Sequence, residues 1–404
     1  MKNLLKKNMN YRFLWFAQSG SYLGDWFNQV ALAQTVLIFT NSASAVGILL
    51  LCRALPSVIL GPILSPFVDK YPKKPILVIS DMVRAVLVLS FIIAFIYNST
   101  WILYVNSFIM GIMSVLYVPA NQAMLPSIVS REDLTEANAF SSATSGIVSI
   151  IGAIAGGIVS AILSPITCFL INSLSYLWSA FYILKIKYNE ETATQKQSAS
   201  YLKSLKEGFI EASRNNIVRS IILIGLSWGL AGGGYYILIP ILGNNVYDMG
   251  GLGIGILYSI DGLGVIVGAY IVKRYIGDKH KRALVGFGIA YIIQAISLAL
   301  LAQFSIFYLG AIFLFLMRVS SGVIIPLSTY LVQTSTEENI RGRIFTLYGS
   351  SYSGVMQLSY VISGLAFENF RLSLVGGIIG FVSFLCGVIW LTQILKGKFD
   401  WSLK

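Results

Sequence analysis

Twelve apolar stretches follow one another along the chain, near residues 12–39, 44–68, 76–97, 100–122, 137–162, 165–186, 216–243, 249–272, 282–303, 305–332, 341–367 and 371–395. Each is long enough to cross a bilayer as a helix, which takes roughly 20 apolar residues. The alternating strands of about ten residues that build a membrane barrel are not seen. The breaks carry turn chemistry: Asn41-Ser42, Pro72-Lys73-Lys74-Pro75, Asn98-Ser99, Ser164-Pro165 and Asn244-Asn245. The pattern predicts an all-α integral membrane protein of twelve transmembrane helices. Many connections span only a few residues, so successive helices must run antiparallel.

Composition removes the alternatives. Of the 404 residues 56% are hydrophobic and only 11% are charged, against about 25% charged in soluble domains. A soluble enzyme, a disordered scaffold and a disulfide framework are all excluded. Cys52, Cys168 and Cys386 lie far apart inside apolar runs, and His280 is the single histidine, so neither a metal site nor any other cofactor is expected. The first apolar run is longer than the core of a cleavable signal and is expected to stay in the membrane.

Charge placement fixes an expected topology. Of the 29 lysines and arginines, 25 fall on the N-terminal side of the predicted membrane or at the two termini, and the opposite loops hold Arg371 alone. Basic residues accumulate in cytoplasmic loops, so both termini are expected in the cytoplasm. The net charge of +12 is therefore a consequence of topology and not a sign of nucleic-acid binding. The longest cytoplasmic stretch, 189–215, begins polar and then sets Leu202, Leu205, Phe209 and Ala212 at helical spacing, which predicts an amphipathic helix on the membrane surface. It divides the chain into an N-terminal six-helix bundle (1–188) and a C-terminal one (216–404). The two halves repeat weakly: Pro119 followed by Ser130-Arg131-Glu132 is echoed about 205 residues later by Pro326 followed by Thr336-Glu337-Glu338. Duplicated bundles of this kind build transporters with a site at mid-membrane.

After span 2 the chain reads Ser65-Pro66-Phe67-Val68-Asp69-Lys70-Tyr71-Pro72-Lys73-Lys74, then Ile79-Ser80-Asp81-Met82-Val83-Arg84-Ala85. The first run resembles the Gly-x-x-x-Asp-Arg-x-Gly-Arg-Lys signature of the major facilitator superfamily, with Ser65 and Pro72 in place of glycines. Pro119-Ala120, Leu125-Pro126, Leu134-Thr135-Glu136-Ala137-Asn138-Ala139 and Arg341-Gly342-Arg343 are similar to its macrolide-efflux and enterobactin-exporter branch. Gly152-Ala153-Ile154-Ala155-Gly156-Gly157 resembles the superfamily's antiporter motif Gly-Pro-x-x-Gly-Gly, with Ala153 at the proline. The resemblance implies two pseudo-symmetric six-helix bundles working by alternating access. It also implies a cytoplasmic gate at Asp69, Lys70, Lys73, Lys74, Asp81 and Arg84, with Asp69 at the start of helix 11. Small residues at 152, 156 and 157 allow close helix approach.

Ionisable residues at bilayer depth are expensive and point to function. Asp25 is midway along span 1, Asp261 along span 8 and Arg318 along span 10; Arg53 is nearer the outer end of span 2. Asp25 is the expected proton site, or else it caps a kink or bonds Asn28 or Gln29. Asp261 and Arg318 are expected to pair, either as a fixed structural contact or as one that opens with substrate or proton. Arg53 either reaches outward or pairs with Asp25. Many proton antiporters of the superfamily carry an arginine in helix 4, which this chain lacks, so Arg53 or Arg318 would have to supply that charge. Trp26, Asn28, Gln29, Gln34, Asn106, Trp228, Tyr235, Tyr236, Tyr352 and Gln357 complete a candidate cavity for a large amphipathic ligand.

The expected function is a proton-coupled efflux antiporter for macrolide-like compounds. The alternatives are export of an endogenous siderophore, peptide or lipid, and proton-coupled nutrient uptake. No Walker-type loop or catalytic constellation supports an ATP-driven pump or a membrane enzyme. A small-molecule substrate, protons and the bilayer are the expected partners, with a monomer in a bacterial plasma membrane.

Overall fold

A computed structural model describes residues 2–187, 201–277 and 279–399; the side chains of residues 2, 3, 65, 66, 69, 201–204 and 339 lie outside it. The helices are α1 (Lys2–Lys7), α2 (Met9–Thr40), α3 (Ala43–Ile59), α4 (Gly61–Lys70), α5 (Lys73–Ile96), α6 (Thr100–Ile128), α7 (Leu134–Ile162) and α8 (Pro165–Lys185). They continue as α9 (Tyr201–Arg214), α10 (Asn216–Ile241), α11 (Gly250–Ile271), α12 (His280–Leu301), α13 (Phe307–Ser335), α14 (Glu338–Asn369) and α15 (Leu372–Leu395). Single π-helical turns extend α10 (Leu242–Val246) and α11 (Val272–Ile276). No strand occurs among the described residues.

Nine of these helices are long and apolar enough to cross a membrane. The other three spans of the expected twelve are α2, the α3–α4 pair and α14. Their departure from the apolar rule has physical causes. At 32 residues each, α2 and α14 reach about 48 Å, but they carry Gln18, Asn28 and Gln357 on buried faces. The second span is interrupted at Leu60, where Pro56 and the Gly61-Pro62 step remove backbone donors and end α3.

Contact density divides the chain into two units. The first holds Met1–Lys196 with Leu242–Ser259, and the second Gln197–Ile241 with Ile260–Lys404. In the first, α2 lies against α7 and α8, and α5 against α6 and α8. In the second, α12 packs on α13 and α15, and α10 on α14. The helices are built outside-in for lipid. On α5, Ile79, Val86 and Ile93 are exposed at seven-residue spacing, while Leu77, Asp81, Arg84, Val88 and Phe91 are buried. Only helices satisfy every backbone group in hydrocarbon, so the interior is free to hold polar side chains. Tyr11 Oη donates to the Ala137 carbonyl (2.9 Å) and Trp390 Nε1 to that of Leu284 (2.8 Å).

Glycine sets the closest helix approaches. Within the first unit a Cβ on Gly157 of α7 would stand 2.7 Å from the Gly251 carbonyl oxygen and 3.0 Å from the Gly255 Cα. Gly157→Ala is therefore expected to destabilise the protein by about 1–3 kcal/mol, since backbone must shift to admit the methyl. On the same helix a Cβ on Gly146 would meet nothing within 4 Å, so Gly146→Ala serves as a neutral control. Thermal unfolding of the purified variants checks the pair, and equal melting temperatures would refute the close approach.

The helix expected in the 189–215 stretch is present as α9, while residues 188–200 lie outside the described residues. It is not simply laid on a membrane surface. It packs against α14, where a Cβ on Gly208 would come 2.7 Å from the Arg343 carbonyl, and Glu207 pairs with Arg343 Nε at 3.0 Å. Of the expected apolar face, Ala212 is buried in the protein, Leu205 is half-buried and Phe209 is exposed. The Leu202 side chain lies outside the described set.

Candidate functional site

In the first unit the polar groups gather around the middle of α2. Asp25 is half-buried, and its Oδ1 accepts from Tyr176 Oη of α8 at 2.5 Å. Asn172, Ser175 and Tyr176 of α8 turn polar groups to α2, and Ser179 continues the polar stripe one turn on toward Asp81 and Tyr117. Gly24 lets α8 approach, because a Cβ there would collide with Ser175 and Asn172. The Tyr176 ring also covers the Arg84 guanidinium at 4.7 Å, and the Tyr117 ring covers it at 4.1 Å. Arg84 is paired with Asp81 Oδ1 at 2.8 Å, and Asp81 is fully buried. Asp25, Tyr176, Arg84 and Asp81 thus form one connected cluster across α2, α5 and α8.

That arrangement separates residues that the sequence reading grouped together. Asp81 and Arg84 stand two to three turns inside α5, beside Asp25, whereas Lys70 ends α4 and Lys73 and Lys74 open α5. Lys73 Nζ donates to the Tyr71 carbonyl (2.9 Å). Lys74 Nζ donates to the carbonyls of Leu184 (2.7 Å) and Ile186 (2.8 Å), closing the negative end of α8. Lys70 is exposed. The Asp69 side chain lies outside the described set.

One turn beyond Asp25, Arg53 donates to Gln29 Oε1 and not to Asp25, while Gln29 Nε2 reaches Tyr258 Oη at 3.4 Å. Trp26 meets the Tyr258 ring edge-on, with centroids 5.7 Å apart. Gly152 and Gly156 of α7 make this possible: Cβ atoms there would meet Trp26 Cβ and Phe27 Cα, each at 2.9 Å. Asn28 is fully buried and makes no side-chain hydrogen bond. Gln34 accepts from Ser160, and Asn106 donates to Ser90.

The second unit holds a separate charged site. Arg318 of α13 and Asp261 of α11 form an ion pair with little exposure on either side chain. Gly264 opens the space for it, since a Cβ there would lie 2.6 Å from Arg318 Cβ. The Arg318 guanidinium lies 5.2 Å from the Tyr235 ring centroid and donates to Ser321 Oγ (3.3 Å), which also accepts from Gln294 Nε2 (2.6 Å). Tyr235 joins Trp228 and Tyr236 in an aromatic row. Tyr352 stacks on Tyr348, and the buried Gln357 Oε1 makes no hydrogen bond. A cavity of about 330 Å³ lies between α10, α14 and α15, its lining mostly apolar, with Leu230, Ile362, Leu374 and Ile378 beside Ser359 and Ser363. None of the sequence-predicted residues lines it.

No group of three or more metal-ligating side chains occurs among the described residues. Helices of membrane length, with charged and amide side chains held inside both units, define a multi-pass membrane transporter. The sequence matches the Major Facilitator Superfamily over residues 14–359, and the chain belongs to that family, with twelve membrane spans in two pseudo-symmetric six-span bundles. BacE of Bacillus subtilis (strain 168), whose name proposes it as a bacilysin exporter, is 26% identical over 392 residues, covering 96% of this chain and 95% of its own. Macrolide efflux protein A of Streptococcus pyogenes is 21% identical over 362 residues, covering 88% of this chain and 89% of its own. The crystal structure of a bacterial homologue of the iron transporter ferroportin, in an inward-facing state, has the same fold. Its TM-score is 0.73 at 14% identity, over 95% of this chain and 98% of that one. The protein moves a small molecule and is not an enzyme.

Proposed function

We propose that this transporter is a proton-coupled efflux antiporter for amphipathic compounds of the macrolide type. The observation that carries the reading is Asp25, a half-buried carboxylate midway along α2, held by Tyr176 and followed by Trp26, whose ring meets Tyr258. A carboxylate at that depth is retained for a purpose, and the aromatic and amide groups beside it suit a large ligand with few polar atoms. In the proposed cycle the inward-open protein binds the compound near Asp25 while the carboxylate is ionised. A proton arriving from the outside then neutralises Asp25, the compound leaves, and the proton passes to the cytoplasm on return. Only differential binding of proton and compound to the two states drives this exchange.

The orientation proposed with it has both termini in the cytoplasm of a bacterial cell and the chain acting as a monomer. Lys70, Lys73, Lys74 and Asp69 then lie at the cytoplasmic end, where they form the proposed gate. Export of an endogenous product is the second reading, and the likeness to BacE along nearly the whole chain favours it. Cellular accumulation of a macrolide, a lipophilic cation, a siderophore and bacilysin, each with and without an uncoupler, tests both. Lower macrolide accumulation that the uncoupler restores is the expected result. Uncoupler-insensitive accumulation of all four compounds would overturn the proposal.

A further inference from the structure

The cavity of the second unit has no part in the proton-coupling reading. Helices α14 and α15 each pack on α10 and touch one another little, which leaves a slot between them. Its rim, formed by Leu230, Ile362, Phe370, Leu374, Ile378 and Val382, is exposed. In a chain that crosses a bilayer such apolar flanks face hydrocarbon, so the slot opens sideways into lipid. No charged or amide side chain lines it among the described residues. Its hydroxyls are few: Ser359 Oγ donates to the Leu230 carbonyl and stands 3.3 Å from Ser363 Oγ, and Ser227 supplies the third. Walls of this kind give a drug-sized ligand almost nothing to fix its orientation. An alkyl chain needs no polar contact.

The slot also has nearly the length of one leaflet. On α15 its lining runs from Leu374 to Val382, about 12 Å at 1.5 Å per residue. One leaflet contributes about 15 Å to a hydrocarbon core of about 30 Å. The slot begins at Phe370 in the α14–α15 turn and stops near the middle of the span, as a chain tethered by a headgroup at the turn would. Arg371 and Glu368 are exposed at that end, one charge for the phosphate and one for the ammonium of a zwitterionic headgroup.

We propose that this slot seats one acyl chain of a zwitterionic membrane phospholipid, with the headgroup at the α14–α15 turn. Within hydrocarbon no water drives the chain in, and packing is what favours it. A plain helix flank touches a chain on one side. The slot puts α10 behind it and α14 and α15 on either hand, multiplying dispersion contacts that are each small.

Photolabelling tests the seat, with a phosphatidylethanolamine that carries a diazirine on one acyl chain, mixed at low fraction into liposomes holding the purified full chain. Mass spectrometry of the digested protein then compares labelling helix by helix. The 362–382 stretch is expected to take several-fold more label than α5, whose exposed Ile79, Val86 and Ile93 form a plain lipid-facing flank. Ala366→Phe and Ile378→Phe fill the slot from opposite walls and are each expected to bring its labelling down to the α5 level. Ile378 is on the exposed rim, so its variant decides if Ala366→Phe fails to fold. The same chain on phosphatidylglycerol is expected to label the slot less. Equal labelling of the slot and α5 in wild type would overturn the proposal, as would undiminished label in the filled variants. Displacement of the label by a macrolide would also overturn it, by making the transported compound the occupant. Equal labelling by the two lipids would remove the headgroup assignment. No transport is measured, so failure here leaves antiport through Asp25 standing, and failure of antiport leaves the seat standing.

Discussion

Arg318→Ala is expected to be among the most destabilising single changes in the chain, lowering stability by roughly 3–5 kcal/mol, because it leaves the buried Asp261 carboxylate without its counter-charge. Both side chains are nearly shielded, so water cannot replace the guanidinium. The substitution also empties the space between the Tyr235 ring and Ser321. Removing both charges should cost far less, since an apolar pair of similar volume often replaces a buried ion pair without loss. Asp261→Leu with Arg318→Met is accordingly expected to restore most of the thermal stability in detergent. A melting temperature for Arg318→Ala close to wild type would show that the pair is solvated. The double variant also separates the two roles open to this pair. A stable protein that still transports marks a structural contact, and a stable one that does not marks a contact that opens during the cycle.

Asp25→Asn is expected to leave the fold intact and abolish proton-coupled transport. The amide keeps the shape of a protonated carboxyl and can still accept from Tyr176, but it cannot bind or release a proton. Proton flux driven by substrate should fall to the level of empty vesicles, and binding of the compound should weaken, because the amide stands in for the protonated acid from which the compound leaves. Tyr176→Phe is the graded companion. It removes one hydrogen bond to a charged group, an effect of about 1.5–3 kcal/mol, and is expected to slow coupled exchange without ending it. Full transport by Asp25→Asn would remove Asp25 from the coupling step.

Much of the architecture was legible in the sequence because lipid imposes one rule on every span. Apolar runs bounded by Asn-Ser, Ser-Pro and Asn-Asn breaks match the helices to within a few residues. The Asp261–Arg318 pair followed from opposite charges at matching depth, and the three-residue spacing of Asp81 and Arg84 on one helix permits the pair they form. The break at Leu60 was foreshadowed by Pro56 and Gly61-Pro62 but was absorbed into a single apolar run.

The partner of Asp25 was not legible, because Tyr176 is 151 residues away and only packing of α8 on α2 brings them together. A signal for it did exist. Asn172, Ser175, Tyr176 and Ser179 form a polar stripe on an otherwise apolar helix, and such a stripe must face protein. Nor does sequence position show that Arg84 belongs with Asp25 and not with the lysines of the preceding turn. The depth of a charge along its helix decides that, and the distance from a motif does not.

The measurement that tests the account most directly is proton movement in inside-out vesicles carrying the wild-type protein, with an acid interior followed by a ΔpH-sensitive dye. Addition of a macrolide is expected to dissipate the gradient in wild-type vesicles and to leave it unchanged with Asp25→Asn. A gradient that the macrolide leaves undisturbed, or one that collapses equally in both, would contradict proton-coupled efflux of such compounds through Asp25.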